Sequence, residues 1–191
     1  MTEETIIQPT SKKGEVRAAL VKMILQANKE KGLIYAIARS ADFYGPNAKN
    51  GAFNAMTFQP ISKGKAPSWF IDADVKHSLT YTVDAGKAMA ILGKDDRANN
   101  QTWHIPTSPA MSGSQYIELA YSIVGTEKKK TRVISLFMFK CLGFFVPAIH
   151  ESVEMLYQNE GDYIFDSSKF ESVFGLKPTS YKMGITQTLQ P

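Results

Sequence analysis

The sequence predicts an α/β fold, because short β-prone segments alternate with helical segments along the chain. The first helical segment carries apolar residues at helical spacing from Val16 to Ala27. The apolar run LIYAIA, Leu33 to Ala38, follows it. An unbroken run of this kind is typical of a strand that is covered on both faces in a parallel sheet. A helix followed by such a strand is half of a βαβ unit.

Each further element has its own start or stop signal. Ser11 is expected to cap the first helix and Gly32 to end it. The Gly-, Pro- and Asn-rich stretch from Gly45 to Pro67 predicts a long irregular segment, and long loops often form a wall of a functional site. The remaining predictions are a strand over Leu79–Val83, a helix capped by Asp84 and ended by Gly93, a strand over Gln101–Ile105, a helix with a Ser112/Gln115 capping box that ends at Gly125, a helix from Pro147 to Tyr157, and a short helix from Asp166 or Ser167 to Gly175.

Composition excludes several classes of protein. The chain has 191 residues, of which 43% are hydrophobic, so it can form a packed core in one domain or two small ones. A single cysteine excludes a disulfide-stapled scaffold, and the N-terminal residues show no secretory signal, so we expect a cytoplasmic protein. The net charge is +4, with its densest cluster at Lys128 to Lys130 and Arg132. We interpret this cluster as a solvated loop and expect no nucleic-acid partner.

One apolar segment could be mistaken for a membrane span. Val133 to Ile149 contains Lys140 and Pro147 and is shorter than the about 20 apolar residues that a spanning helix needs. We therefore predict a buried or pocket-lining segment, with an interfacial membrane contact as a weaker alternative. Cys141 lies within this segment and is expected to be a buried, inert thiol.

No complete active-site motif is present. The sequence has no GxSxG elbow and no GKS or GKT of a P-loop, and no two glycines are separated by one residue, which excludes GxGxxG. The three histidines form neither an HxH nor an HExxH pattern, so no metal site is predicted.

The order of the segments nevertheless resembles the C-terminal part of an NAD-dependent epimerase/dehydratase, a family of extended or atypical short-chain dehydrogenases. The matching segments are QPTS, LIYAIARSADFYGP, HSLTYTVDAGKAMAIL, WHIP and DSSKFESVFGLKPT. The most specific is RSADFYGP, which resembles the family pattern RxxNVYGP. The resemblance implies the C-terminal portion of a Rossmann-like NAD(P)-binding fold plus the smaller substrate-side lobe. Residues 1–46 would be the remnant of the Rossmann half and residues 47–191 the substrate-side and C-terminal segments, together forming a single partial domain.

Two departures from the family pattern matter. The glycine-rich half of about a hundred residues that holds the dinucleotide is absent, so we expect a truncated form that binds NAD or NADP weakly or not at all by itself. The family's catalytic YxxxK falls on Lys13 and Arg17. Arginine does not release a proton near neutral pH, so this pair is a degenerate site or simply two exposed cations on a helix face.

The resemblance also assigns binding residues. Asp42 stands where the family has a substrate-contacting Asn, and the alternative is that Arg39 and Asp42 only brace the turn before Gly45. Tyr44 and Trp69 would contact substrate or simply pack. The residues implied at the nicotinamide side are Arg39, Ser40 and Ala41.

Two functions follow as hypotheses. The first is an NAD(P)-dependent epimerase/dehydratase-like protein for nucleotide sugars or related carbinols, catalytically impaired as an isolated chain. The alternative is a non-catalytic binding module that uses the cleft around Arg39, Asp42 and Trp69. In either case we expect a small-molecule ligand, together with self-association or a partner that completes the sheet.

Overall fold

The structure is a computed structural model that describes residues 1–48 and 51–190. The helices are α1 (Lys12–Lys31), α2 (Gln59–Ser62), α3 (Thr82–Leu92), α4 (Gly113–Val124), α5 (Leu136–Phe145), α6 (Pro147–Val153), α7 (Ser168–Phe174) and α8 (Tyr181–Leu189). The strands are β1 (Ala36–Arg39), β2 (Asp42–Tyr44), β3 (Ser68–Phe70), β4 (Lys76–His77), β5 (Leu79–Tyr81), β6 (Gln101–His104), β7 (Met111–Ser112) and β8 (Arg132–Ile134).

The strands form pairs, and three of the described pairs are parallel. Strand β1 pairs with β6, β2 with β5, and β3 with β8, whereas β4 and β7 are antiparallel. Parallel pairing between strands separated by helices confirms the predicted α/β class. The chain passes directly from β1 to β2, so residues 39–42 lie where β1 reaches its carboxyl end.

The core consists of two hydrophobic clusters. The larger one is aromatic and includes Tyr44, Phe58, Trp69, Tyr116 and Tyr181. The smaller one surrounds Trp103 and contains Ala88, Leu92, Ala98, Ile105 and Phe170. Phe53, Phe70, Phe139 and Leu156 of the larger cluster also line the cavity of about 310 Å³ described below.

Several local signals are confirmed. Ser11 Oγ accepts a hydrogen bond from the backbone N–H of Gly14 at 3.1 Å, and Gly32 ends α1 in the left-handed conformation. Both halves of the Ser112/Gln115 capping box are present in α4. The Lys128–Lys130 run is exposed, as predicted.

The prediction of a fully covered strand over Leu33–Ala38 was wrong. The strand starts at Ala36, Leu33 and Ile34 are 45% and 65% exposed, and none of the residues of α1 is buried. The sequence pattern indicated the apolar character of the segment correctly. In the part of the chain that the structure describes, however, no element buries Leu33, Ile34 or the residues of α1.

Two further predictions need correction. Helix α3 begins at Thr82, two residues before the expected cap, and the Asp84 carboxylate instead accepts hydrogen bonds from Thr179 N and Oγ1 at 2.6 and 2.8 Å. The stretch from Gly45 to Pro67 is also less irregular than expected. It contains a π-helical turn, Asn54–Phe58, that continues into α2, because several of its apolar side chains are buried in the core.

In the apolar segment from Val133 to Ile149, most of the side chains whose exposure is described are exposed, so the prediction of a buried or pocket-lining segment holds only locally, where Phe139 and Ile149 line a cavity. Phe137, Phe144 and Phe145 are 74%, 84% and 79% exposed, and Cys141 is exposed rather than buried. Helices α5 and α6 contact each other, and α5 reaches the core through Phe139. Among the described residues, no helix has both the length and the apolar character required to cross a membrane.

Candidate functional site

Asp42 is the residue around which the candidate site is built. It lines three cavities, of about 670, 630 and 310 Å³. It is the first residue of β2 and follows the carboxyl end of β1. Ligands of open parallel α/β sheets bind beyond the carboxyl ends of the strands, so this position agrees with a binding role.

The Asp42 carboxylate is held by a buried histidine. His77 Nε2 lies 2.8 Å from Asp42 Oδ2, and its ring packs between Phe53 and Tyr163 at centroid distances of 5.1 and 4.9 Å. His77 Nδ1 is buried and has no hydrogen-bond partner among the described residues. The buried ring therefore contacts the carboxylate through Nε2 alone and fixes the position of Asp42 Oδ2.

The residues expected at the nicotinamide side lie together. Arg39, Ser40 and Ala41 line the cavity of about 630 Å³ with Arg17 of α1 and Tyr163. Burial raises the pKa of Tyr163, and the Asp42 charge raises it further. The structure thus brings Arg17 next to residues 39–42, although the two segments are separate in sequence.

Lys13 and Arg17 lie on one face of α1 and line a further cavity of about 530 Å³. Lys13 Nζ donates a hydrogen bond to the carbonyl oxygen of Glu151 at 2.6 Å and lies 3.5 Å from the Glu151 carboxylate. The Glu154 carboxylate accepts hydrogen bonds from the backbone N–H groups of Lys12 and Lys13 at 2.9 and 3.2 Å. Helix α1 is therefore anchored at its first turn to the C-terminal end of α6, where Glu151 binds the Lys13 ammonium and Glu154 accepts from the backbone.

The cavity of about 310 Å³ has mainly apolar walls. Lys13, Asp42 and Asn159 line it together with aromatic and aliphatic side chains. Asn159 is 7% exposed, and its Oδ1 has no hydrogen-bond partner among the described residues. Sequence reasoning did not identify Asn159 or His77 as site residues, because only the fold brings them to Asp42.

Tyr44 and Trp69 lie in the core. Each is 1% exposed, and neither lines any of the three cavities that share Asp42. Tyr44 packs against the rings of Phe58, Tyr81 and Tyr181. This position favours the packing alternative over substrate contact for both residues, and burial raises the pKa of Tyr44 accordingly.

No protein-family model and no curated protein matches the chain. Several solved structures match the chain in fold. The UDP-glucose 4-epimerase of Thermotoga maritima matches with a TM-score of 0.74 at 18% identity, over 99% of this chain and 55% of that protein. A dTDP-glucose 4,6-dehydratase of Bacillus anthracis, crystallised with NAD, matches with a TM-score of 0.77 at 17% identity, over 100% of this chain and 54% of that protein.

The UDP-glucuronic acid 4-epimerase of Bacillus cereus, crystallised with UDP-glucuronic acid and NAD, matches with a TM-score of 0.77 at 16% identity, over 99% of this chain and 55% of that protein. The chain spans about half the length of these enzymes. At this level of identity the likeness concerns the fold. The chain therefore has the Rossmann-type α/β fold of NAD-dependent epimerases and dehydratases, over about half of their length.

Proposed function

We propose that this chain supplies the substrate-side portion of an NAD(P)-dependent epimerase/dehydratase-like protein that acts on a nucleotide sugar or a related carbinol. The observation that supports the proposal is the common cavity of Arg17 and residues 39–42 at the carboxyl end of β1. Fold neighbours crystallised with NAD and with UDP-glucuronic acid support the same assignment.

The residues present fit one side of a nicotinamide site. Arg39 and Arg17 give the cavity of about 630 Å³ a cationic wall, and Ser40 and Ala41 are small enough to leave room for a planar ring. A bound nicotinamide would accept or return hydride at a carbinol carbon. The chain has no glycine-rich phosphate cradle, so dinucleotide binding requires a separate half.

Proton transfer is the impaired part of the proposed chemistry. The ordinary acid/base group would be a tyrosine phenol at the position of Lys13. The Lys13 ammonium instead binds the Glu151 carbonyl and lies beside its carboxylate. Arg17 remains a cation throughout the neutral range and can position a ligand but not take its proton.

A fusion tests this proposal. The dinucleotide-binding half of the Bacillus cereus epimerase is joined to this chain, and NAD reduction is followed with sugar nucleotides and secondary alcohols. We expect slow or no hydride transfer with the native residues. A Lys13→Tyr, Arg17→Lys double variant should be faster by about 10²-fold or more, the contribution typical of general acid–base catalysis.

Two outcomes would count against the proposal. If the fusion binds NAD but neither version transfers hydride to or from any compound of the panel, the substrate-side assignment is wrong. If the native pair is as fast as the double variant, the site is altered rather than impaired. An Arg39→Ala variant of the fusion tests the cavity itself, and it should weaken NAD binding.

A further inference from the structure

We propose that the cavity of about 310 Å³ binds a compact ligand with an apolar body that presents a hydroxyl or ammonium donor to Asp42 and Asn159, and that this cavity rejects anionic ligands. The inference rests on the proposed function, since it names the substrate class of the same site. It narrows that class from nucleotide sugars and carbinols to small uncharged or cationic carbinols.

The walls of this cavity select an apolar body. Phe53, Phe70, Phe139 and Leu156 line it, and the rings of Phe70 and Phe139 stack at a centroid distance of 5.4 Å. The volume lies at the lower end of the roughly 300–1,000 Å³ that is usual for ligand sites. A compact ring or short branched chain is the body that such walls accommodate best.

One buried polar group of the cavity lacks a partner that a ligand could provide. Asn159 is 93% buried, and its Oδ1 has no hydrogen-bond partner among the described residues. Buried polar groups are nearly always hydrogen-bonded in folded proteins, so an unpaired group in a cavity wall indicates a ligand contact.

The charge of the cavity comes from Asp42. The His77 hydrogen bond reaches Oδ2, so the carboxylate keeps acceptor sites for a ligand donor. The other charged side chain that lines this cavity is Lys13, whose ammonium is compensated by the Glu151 carboxylate 3.5 Å away. A ligand carboxylate or phosphate would therefore meet the carboxylate of Asp42 in this cavity, whereas an ammonium or hydroxyl would be attracted to it.

Three probes on one ring scaffold test the proposal on the chain as it exists. They are 2-aminocyclohexanol, cyclohexane-1,2-diol and 2-hydroxycyclohexane-1-carboxylate, which are cationic, neutral and anionic at neutral pH. Affinities are measured by chemical-shift titration of the isotope-labelled protein. We expect the amino alcohol to bind more tightly than the diol and the diol more tightly than the carboxylate, with about tenfold or more between the two extremes.

Variants assign the effect to its residues. Asp42→Asn keeps the shape of the side chain and should reduce the difference between the cationic and anionic probes to about twofold. Asn159→Leu should weaken all three probes alike, because it removes a hydrogen-bonding group without changing charge. Glu127→Gln, an exposed position, removes a negative charge elsewhere and should leave the order unchanged.

The wild-type measurement alone can overturn the proposal. The proposal is wrong if the carboxylate binds as tightly as the amino alcohol, or if no probe shifts residues that line the cavity. It is also wrong if Asp42→Asn leaves the order intact. These titrations involve no dinucleotide, so their result does not depend on whether the fusion transfers hydride. Conversely, an order of affinities that differs from the expected one would contradict this proposal without contradicting hydride transfer by the fusion.

Discussion

Asp84 links two distant parts of the chain through a single buried carboxylate. It is 1% exposed and accepts both the backbone N–H and the hydroxyl of Thr179. We expect Asp84→Ala to lower the free energy of unfolding by about 1–3 kcal/mol, because the Thr179 donors lose their acceptor in the interior. Urea unfolding measures this change. Glu127→Ala, which removes the same charge at an exposed position, should change stability by less than about 0.5 kcal/mol.

His104 makes stability depend on pH. Its Nδ1–H donates to the Asp166 carbonyl at 2.7 Å, and its ring stacks on Phe165. Burial lowers the pKa of His104 below its usual 6.5, although the hydrogen bond to Asp166 opposes the shift. The unfolded chain therefore binds this proton more readily than the folded protein, and the free energy of unfolding should fall as the pH is lowered below 6.5.

Urea unfolding at a series of pH values checks this expectation against a His104→Gln variant. The variant starts from a lower stability but should lose less of it between pH 6.5 and the range in which carboxylates titrate. Parallel curves for the two proteins would show that His104 is not the source of the dependence.

At the scale of elements, α8 is docked through a glycine. A Cβ at Gly184 would overlap the Tyr44 hydroxyl and lie 3.0 Å from Tyr44 Cε2 in the core. Gly184→Ala should therefore destabilise the protein by about 1–3 kcal/mol through overpacking. Gly86 in α3 is the matched control, since a Cβ there meets nothing within 4 Å. Gly86→Ala should stabilise by about 0.5–1 kcal/mol through helix propensity, and thermal melts that move in opposite directions would confirm both.

The elements whose signals are local could be predicted from the sequence. The caps of α1 and α4 depend on residues three positions apart, so Ser11 and the Ser112/Gln115 box were identified correctly. Burial depends on what lies opposite an element. The apolar patterns of Leu33–Ala38 and Val133–Ile149 could not show that much of these segments is exposed, because a sequence pattern carries no information on the packing partner.

The candidate site could be predicted only in part, because a sequence pattern locates contiguous residues but not the distant residues that pack against them. The RSADFYGP motif located residues 39–42, which are contiguous and lie together on one cavity wall. His77 and Asn159 are 35 and 117 positions from Asp42 (77 − 42 and 159 − 42), and nothing in either segment marks these residues as partners of Asp42. They come close to Asp42 only in the tertiary fold.

At the scale of the whole molecule, α1 presents an apolar row to solvent. Val16, Leu20 and Met23 share one face and are 61%, 53% and 65% exposed. Exposed apolar surface favours association at roughly 25 cal/mol per Å² buried, so we expect the chain to self-associate or to bind a partner through this face. Sedimentation velocity should show concentration-dependent association that Met23→Glu weakens. Met89→Glu, at a site 56% exposed on α3, should leave association unchanged.

We expect this chain to carry the substrate-side portion of a nicotinamide-dependent fold and to bind the dinucleotide only when a separate half is supplied. Calorimetric titration of NADH into the chain alone, and into its fusion with the dinucleotide-binding half of the Bacillus cereus epimerase, tests the claim most directly. We expect no binding in the micromolar range for the chain alone and micromolar binding for the fusion. Micromolar binding by the chain alone would contradict it, because a phosphate cradle outside the known glycine-rich motifs would then have to exist within this chain.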